Sequence, residues 1–298
     1  MKRTLSIIGA GRVGRVLAER LRERGWKISA VVARTESSAR KAVRLIGAGH
    51  AHATVTGGVL LSSLILICTP DSAIGEVTAK LARLGSEALD GKVVLHTSGA
   101  LSADVLAPLR QYGASVGALH PLQTFTGVGM PTLEGRIFTI DGDPVAIRVA
   151  RQIARDLGGL PVRISGAAKA AYHAAATMSC AQVLALVEAA TQLLMSIGMK
   201  RREAVRAIVP LTRQMLQNFE RLGPKAAWTG ALSRGDFDVI QAHTAALQNS
   251  PAEYRDAYAA LNRLAARVLA QNPDEVLALL HRPQETKTLK ARASGGSS

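Results

Sequence analysis

The chain has 298 residues, 48% of them hydrophobic and 20% charged, a composition that supports a sizeable core and excludes wholesale disorder. Only ten residues are aromatic, so stacking platforms for single-stranded nucleic acid are scarce, and the core has to be built from Ala, Leu, Val and Ile. The net charge is +15, with 12 basic and 3 acidic residues among the first 44, which fits either a nucleic-acid surface or a polyanionic small molecule.

Taken in order, the first half alternates short apolar runs with helix-like stretches, the pattern of a parallel sheet with crossover helices. Strands are predicted at 4–8, 27–33, 64–68, 92–96, 115–120, 136–140 and 160–164. Asp143-Pro144 predicts an N-cap followed by a proline at the first helical position, with the helix ending near Gly158-Gly159. After residue 164 the strand signal stops, and helices are predicted at 167–197, 201–221, 251–270 and 273–281, with Pro210 kinking or dividing the second. Residues 170–187 carry no Asp, Glu, Lys or Arg, yet Tyr172, His173, Thr177, Ser179 and Gln182 make a buried bundle helix the expectation rather than a membrane span. The expected organisation is α/β: a dinucleotide-binding domain over 1–164, an all-α substrate and dimerisation domain over 165–285, and a disordered tail over 286–298.

Cys68 and Cys180 provide neither a disulfide framework nor metal-ligand spacing, so no metal and a reducing, cytoplasmic setting are expected. The basic start is interrupted by Gly9, Gly11 and Arg12, unlike a signal peptide.

The most specific local signal follows the first strand. Leu5-Ser6-Ile7-Ile8 runs into Gly9-Ala10-Gly11-Arg12-Val13-Gly14, and Val13, Val16, Leu17 and Leu21 then give one apolar helical face. This is G-x-G-x-x-G in strand-to-helix context, where the glycines allow a tight turn and close backbone approach to a pyrophosphate. Dinucleotide sites that take NAD usually end the second strand in Asp or Glu, whereas here Arg34 and Thr35 stand there. A guanidinium can fork onto a 2′-phosphate with hydroxyls from Thr35, Ser37 and Ser38, so NADP(H) is the expected cofactor; the alternative for Arg34 is a solvent-facing side chain beside a helix start. Thr69-Pro70-Asp71 and Thr97-Ser98-Gly99 follow other strand ends and are expected to offer N–H groups and hydroxyls to cofactor or substrate, with helix capping the other role for Asp71.

Four further motifs carry a resemblance: His96-Thr97-Ser98-Gly99-Ala100, Leu119-His120-Pro121-Leu122-Gln123-Thr124-Phe125, Lys169-Ala170-Ala171-Tyr172-His173-Ala174-Ala175, and Gly230-Ala231-Leu232-Ser233-Arg234-Gly235-Asp236. Over nearly the whole chain they resemble the bacterial family in which a Rossmann-like domain precedes domain of unknown function 2520. That family belongs with 6-phosphogluconate dehydrogenase, pyrroline-5-carboxylate reductase, prephenate dehydrogenase and ketopantoate reductase. The resemblance implies a helical second domain and frequent dimers. Two departures are Ala231 in place of a common proline, and Ser179-Cys180 where Ser/Ala-Asn is usual.

Lys169, His173, Thr177 and Cys180 fall on one line of a helix that is otherwise Ala and Leu. An ammonium there is expected at a wet cleft with a lowered pKa, and related dehydrogenases use a helix-borne lysine near the nicotinamide; a snorkelling lysine is the alternative. His120, at a strand's C-terminal edge in a His-Pro setting similar to that of prephenate dehydrogenases, is expected to orient substrate or else to pack. The expected chemistry is NADP(H)-linked hydride transfer to or from a small carbonyl, a 2-oxo acid such as ketopantoate, or an imine. Lys169 is the expected proton donor, His120 the orienting group and His173 a further candidate. The substrate is expected to be a carboxylate and the protein a homodimer, with neither nucleic acid nor membrane as partner. A non-catalytic NADP(H) sensor is the other reading. Arg234 is expected to clamp an anion or pair with Asp236, and His243 to complete the cleft or pack.

Overall fold

The computed structural model describes residues 2–84 and 88–280. The chain divides into two compact units, one ending at Cys180 and one beginning at Ala181.

The first unit is built on an eight-stranded sheet, β1 (Thr4–Ile8), β2 (Lys27–Val32), β3 (His50–His52), β4 (Leu64–Ile67), β5 (Val93–His96), β6 (Ser115–Pro121), β7 (Ile137–Gly142) and β8 (Leu160–Arg163), in the spatial order 3-2-1-4-5-6-7-8. The pairs from β3 to β6 are parallel, β7 runs antiparallel to β6, and β8 is parallel to β7. β4 and β5 are buried at every position, which explains their unbroken apolar runs: crossover helices cover both faces. One core layer joins the sheet to α1 (Arg12–Glu23), α2 (Glu36–Ile46) and α4 (Pro144–Asp156) through Leu17, Leu21, Ile46, Ile147 and Ile153. The other joins it to α3 (Asp71–Arg83) and the 3-10 segment Ala103–Tyr112 through Ile74, Leu81, Leu106 and Leu109.

The seven predicted strands are present to within two residues at each end. β3 was not expected, because three residues are too few to show alternation; it exists by pairing Ala30–Val32 with His50–His52. Asp143 stands at the N-cap of α4 with Pro144 following, but its carboxylate accepts from Val116 N (2.9 Å) and Arg110 Nε (3.1 Å) rather than capping the helix.

Four corrections concern the helical part. The stretch 167–197 is not one regular helix: a 3-10 turn leads into α5 (Lys169–Thr177), a five-residue π turn occupies Met178–Gln182, and α6 (Val183–Ser196) follows. Nor is it buried within the chain. The run Gly166–Ser196 is long and apolar enough to cross a membrane by length and composition, and only 6% of its apolar window is buried, with Met178, Leu184 and Leu186 exposed as well as the alanines. α7 (Arg201–Ala227) passes through Pro210 without dividing; the non-helical residue is Gly223 (φ 77°), where the following Pro224 disfavours a helical conformation. Finally, between the helices predicted at 201–221 and 251–270 stand two that were not predicted, α8 (Ala231–Arg234) and α9 (Phe237–Ala246), before α10 (Ala252–Leu269) and α11 (Pro273–Leu280). The tail expected over 286–298 lies outside the described residues.

Candidate active site

The turn between β1 and α1 is shaped for close packing and for something to sit above it. Gly9 has φ 94°, and a Cβ there would lie 2.7 Å from Cys68 C and Thr69 N; at Gly14 a Cβ would lie 2.4 Å from Gly9 O. Both glycines are required by the protein itself. Gly11 is different: a Cβ would meet nothing within 4 Å. It stands at the N-cap of α1 with no side chain capping the helix, so the first N–H groups face open space. A helix N-terminus with free donors and an unobstructed approach suits an anionic pyrophosphate.

From this turn a cleft of about 1030 Å³ extends past Arg34 and Ser38 in one direction and past Thr69–Ala73 to Thr97–Gly99, His120 and His173 in the other. Of the residues expected to hold a dinucleotide, Gly9, Gly11, Arg12, Val13, Arg34, Thr69, Pro70 and Ser98 line it. Gly14 and Thr35 do not. Gly14 packs under the turn, and Thr35 caps α2, accepting from Ser38 N (3.2 Å) and donating to Ser38 Oγ (2.8 Å). A neighbouring lobe of about 530 Å³ shares Arg12 and Ser38 and adds Arg15, Lys41 and the Gly127–Met130 stretch of the β6–β7 connection. Arg15 and Lys41 were not anticipated, although Ser38 and Lys41 sit three apart on α2 and therefore share a face.

The far end of the cleft is held by buried polar bonds. His96 is fully buried, and burial lowers its pKa to about 4, so the ring is neutral. Its Nδ1 accepts from Ser98 N (3.2 Å), which leaves Nε2–H to donate to Ser102 O (3.1 Å). Ser98 Oγ donates to Asp71 (2.8 Å) and accepts from Ala100 N and Leu101 N. Asp71 therefore ties the start of α3 to the loop after β5. Lys169 is buried, and its Nζ donates to Ser98 O (2.9 Å). Desolvation lowers its pKa to about 8, against the opposing pull of Asp141 and Asp71. The ammonium thus stands behind the Thr97–Gly99 wall, and Lys169 is absent from the residues lining the cleft.

Three rings meet in front of that wall. His120 Nδ1 lies 2.8 Å from the Tyr172 hydroxyl, and the ring meets those of Tyr172 and His173 edge-on, with centroids 5.6 Å and 6.0 Å away. Burial, followed by the Lys169 charge, lowers His120 to about 4. A Cβ on Gly99 would lie 2.5 Å from His173 Nδ1 and 2.9 Å from His120 Nε2, so glycine is needed to make room for both imidazoles. Tyr172 was missed as a functional group even though it lies beside His173; its contact with His120 depends on how α5 meets the sheet. On the predicted polar line, Lys169 and His173 converge on the 98–99 wall, Thr177 bonds back to His173 O (2.9 Å), and Cys180 is exposed in the π turn. Within the second unit, Arg234 pairs with Asp236 (2.9 Å), and His243 Nδ1 meets the Tyr258 hydroxyl (2.7 Å).

Residues 1–121 match the model of a Rossmann-like domain, and residues 136–265 match that of a domain of unknown function (DUF2520). The chain is a Rossmann-like domain joined to a DUF2520 domain. The DUF2520 match begins beside β7, inside the sheet-bearing unit, so Tyr172 and His173 of the DUF2520 domain meet His120 of the Rossmann-like domain within one compact unit. No curated protein matches the sequence. Among solved structures, a Bacteroides fragilis protein provisionally named an NADP oxidoreductase is 25% identical, with TM-score 0.70 over 88% of this chain and 96% of that one. The reductive aminase of Aspergillus terreus, in complex with NADPH and ethyl-5-oxohexanoate, is 19% identical, with TM-score 0.66 over 89% and 93%. The imine reductase of Myxococcus stipitatus, in complex with NADP+, is 19% identical, with TM-score 0.62 over 92% and 99%. The fold is that of the imine reductases.

Proposed function

We propose that this Rossmann-like–DUF2520 protein is an NADP(H)-dependent oxidoreductase acting on a small carbonyl, such as a 2-oxo acid, or on an imine. One observation carries the reading: the uncapped N-terminus of α1, open above Gly11, continues in a single cleft to His120 and His173. When bound, the dinucleotide supplies or accepts a hydride. The chain's own residues do the rest. The N–H groups at the start of α1 hold the pyrophosphate, and Arg34 with Ser38 meets the 2′-phosphate through charge-assisted bonds. His120 and His173 hold the substrate's oxygen or nitrogen. Lys169 serves the cleft through Ser98, keeping the wall in place, rather than as the proton donor expected from its position on the helix.

The exposed Leu184, Leu211, Leu216 and Phe219 of the second unit support assembly as a homodimer through the helical half, since side chains of that size are normally covered. Light scattering that finds a monomer at micromolar concentration would count against it. The enzymatic reading is tested by incubating the protein and NADPH with mixtures of oxo acids, ketones and amines while following loss of NADPH absorbance. Tight NADPH binding with no consumption in any mixture would instead mark a nucleotide sensor.

A further inference from the structure

A neutral His120 cannot act alone as an acid. An imidazole that gives up its only N–H proton becomes an imidazolate, so the other nitrogen has to gain a proton in the same event. The structure places a source there, the Tyr172 hydroxyl 2.8 Å from Nδ1. We propose that Tyr172 and His120 form a proton relay into the cleft, with the phenol resupplying Nδ1 as Nε2 hands its proton to the substrate's oxygen or nitrogen.

The bookkeeping of bonds closes. The Tyr172 O–H breaks and an Nδ1–H forms; the Nε2–H breaks and an O–H or N–H forms on the substrate. A tyrosinate and a neutral His120 in the opposite tautomer remain; a solvent proton taken up at Nε2, with the Nδ1 proton passing back to the phenolate, restores the starting state. The substrate atom becomes basic because a hydride reaches its carbon, and this part rests on the dinucleotide reading above.

Several observations favour this direction. Burial raises the Tyr172 pKa, so the phenol keeps its proton until the relay draws on it. Thr139 is the cross-strand partner of His120, and its buried hydroxyl stands beside the phenol and partly offsets that rise. The Nε2 side of His120 faces the space kept open by Gly99, where His173 Nδ1 is also buried with no hydrogen-bond partner among the described residues. Two ring nitrogens aimed at one small volume suit a ligand atom that can accept from one and donate to the other. The other groups acting on His120 are Lys169, His173 and His96, each of which disfavours its protonation; Asp71 and Asp141 act on Lys169.

The test uses full-length protein labelled with ¹⁵N-histidine, without nucleotide, read by long-range ¹H–¹⁵N correlation, with His120→Asn and His173→Asn assigning the signals. Wild type should show His120 protonated at Nε2 near neutral pH. In Tyr172→Phe, which keeps the ring, the signals should move to a mixture of tautomers, while the His120 titration midpoint stays low, because the burial and the Lys169 charge that lower it remain. An Nδ1–H tautomer in wild type overturns the relay, even if Tyr172→Phe fails to fold. So does an unchanged tautomer in that variant. Since no cofactor is present, a protein that never oxidises NADPH can still pass, and an active enzyme can still fail.

Discussion

Gly11→Ala separates what the protein needs from what its ligand needs. A methyl group at this position meets nothing within 4 Å, and the backbone (φ −77°, ψ −154°) lies outside the left-handed region. The free protein should therefore lose no more than about 1 kcal/mol, the usual difference between glycine and alanine at an N-cap. A phosphate at the start of α1 has to come within about 2.9 Å of backbone nitrogens, and the new methyl stands in that approach. Each charge-assisted bond lost costs about 1.5–3 kcal/mol, so NADPH affinity should fall about 10- to 150-fold. Fluorescence or calorimetric titration measures the affinity, and a thermal melt of the same sample measures the fold. Gly9→Ala is the contrasting variant: φ 94° and a Cβ 2.7 Å from the Cys68 and Thr69 backbone predict a destabilised protein. If Gly11→Ala melts like wild type and binds NADPH within twofold, the pyrophosphate does not sit at this turn and the dinucleotide reading of the cleft fails.

Arg34→Ala should weaken NADPH by about 10- to 100-fold and leave NADH nearly unchanged; equal affinities of wild type for the two nucleotides in parallel titrations would sink the 2′-phosphate assignment. Lys169→Met should leave NADPH affinity unchanged, lower kcat by about tenfold as the Ser98 wall loosens, and cost about 1–3 kcal/mol for the unsatisfied Ser98 carbonyl, measured by urea unfolding; a loss of about 10²-fold or more in kcat at unchanged KM would make the lysine itself the donor and remove the relay. His96 links stability to pH. Its folded pKa of about 4 lies below the unfolded value of about 6.5, so as pH falls the unfolded chain takes up the proton first, and up to about 3 kcal/mol is lost between those values. Urea melts at about pH 7 and about pH 4.5, compared with His96→Gln, isolate this contribution, and the same pH loss in the variant would exclude His96 as its source.

Local chemistry was enough to read the first half of the chain from sequence. Apolar runs buried on both faces announce parallel strands, and three glycines between a strand and an amphipathic helix announce a phosphate turn, because both depend on residues adjacent in the chain. Arg34, Thr69 and Ser98 were legible for a similar reason: each follows a strand, and strand ends in a parallel sheet open on the same edge. Lys169 shows the limit of such reasoning. Helical spacing put it on a line with His173, but only the packing of α5 against the loop after β5 turned its ammonium to Ser98 O instead of into the cleft. Tyr172 falls between those two residues on the helix and carries no spacing signal. It meets His120 only because β6, β7 and α5 bring His120, Thr139 and a phenol together from positions 120, 139 and 172. The long alanine-rich stretch was misread as buried for the complementary reason, since composition reports how apolar a helix is but not whether the same chain has enough neighbours to cover it.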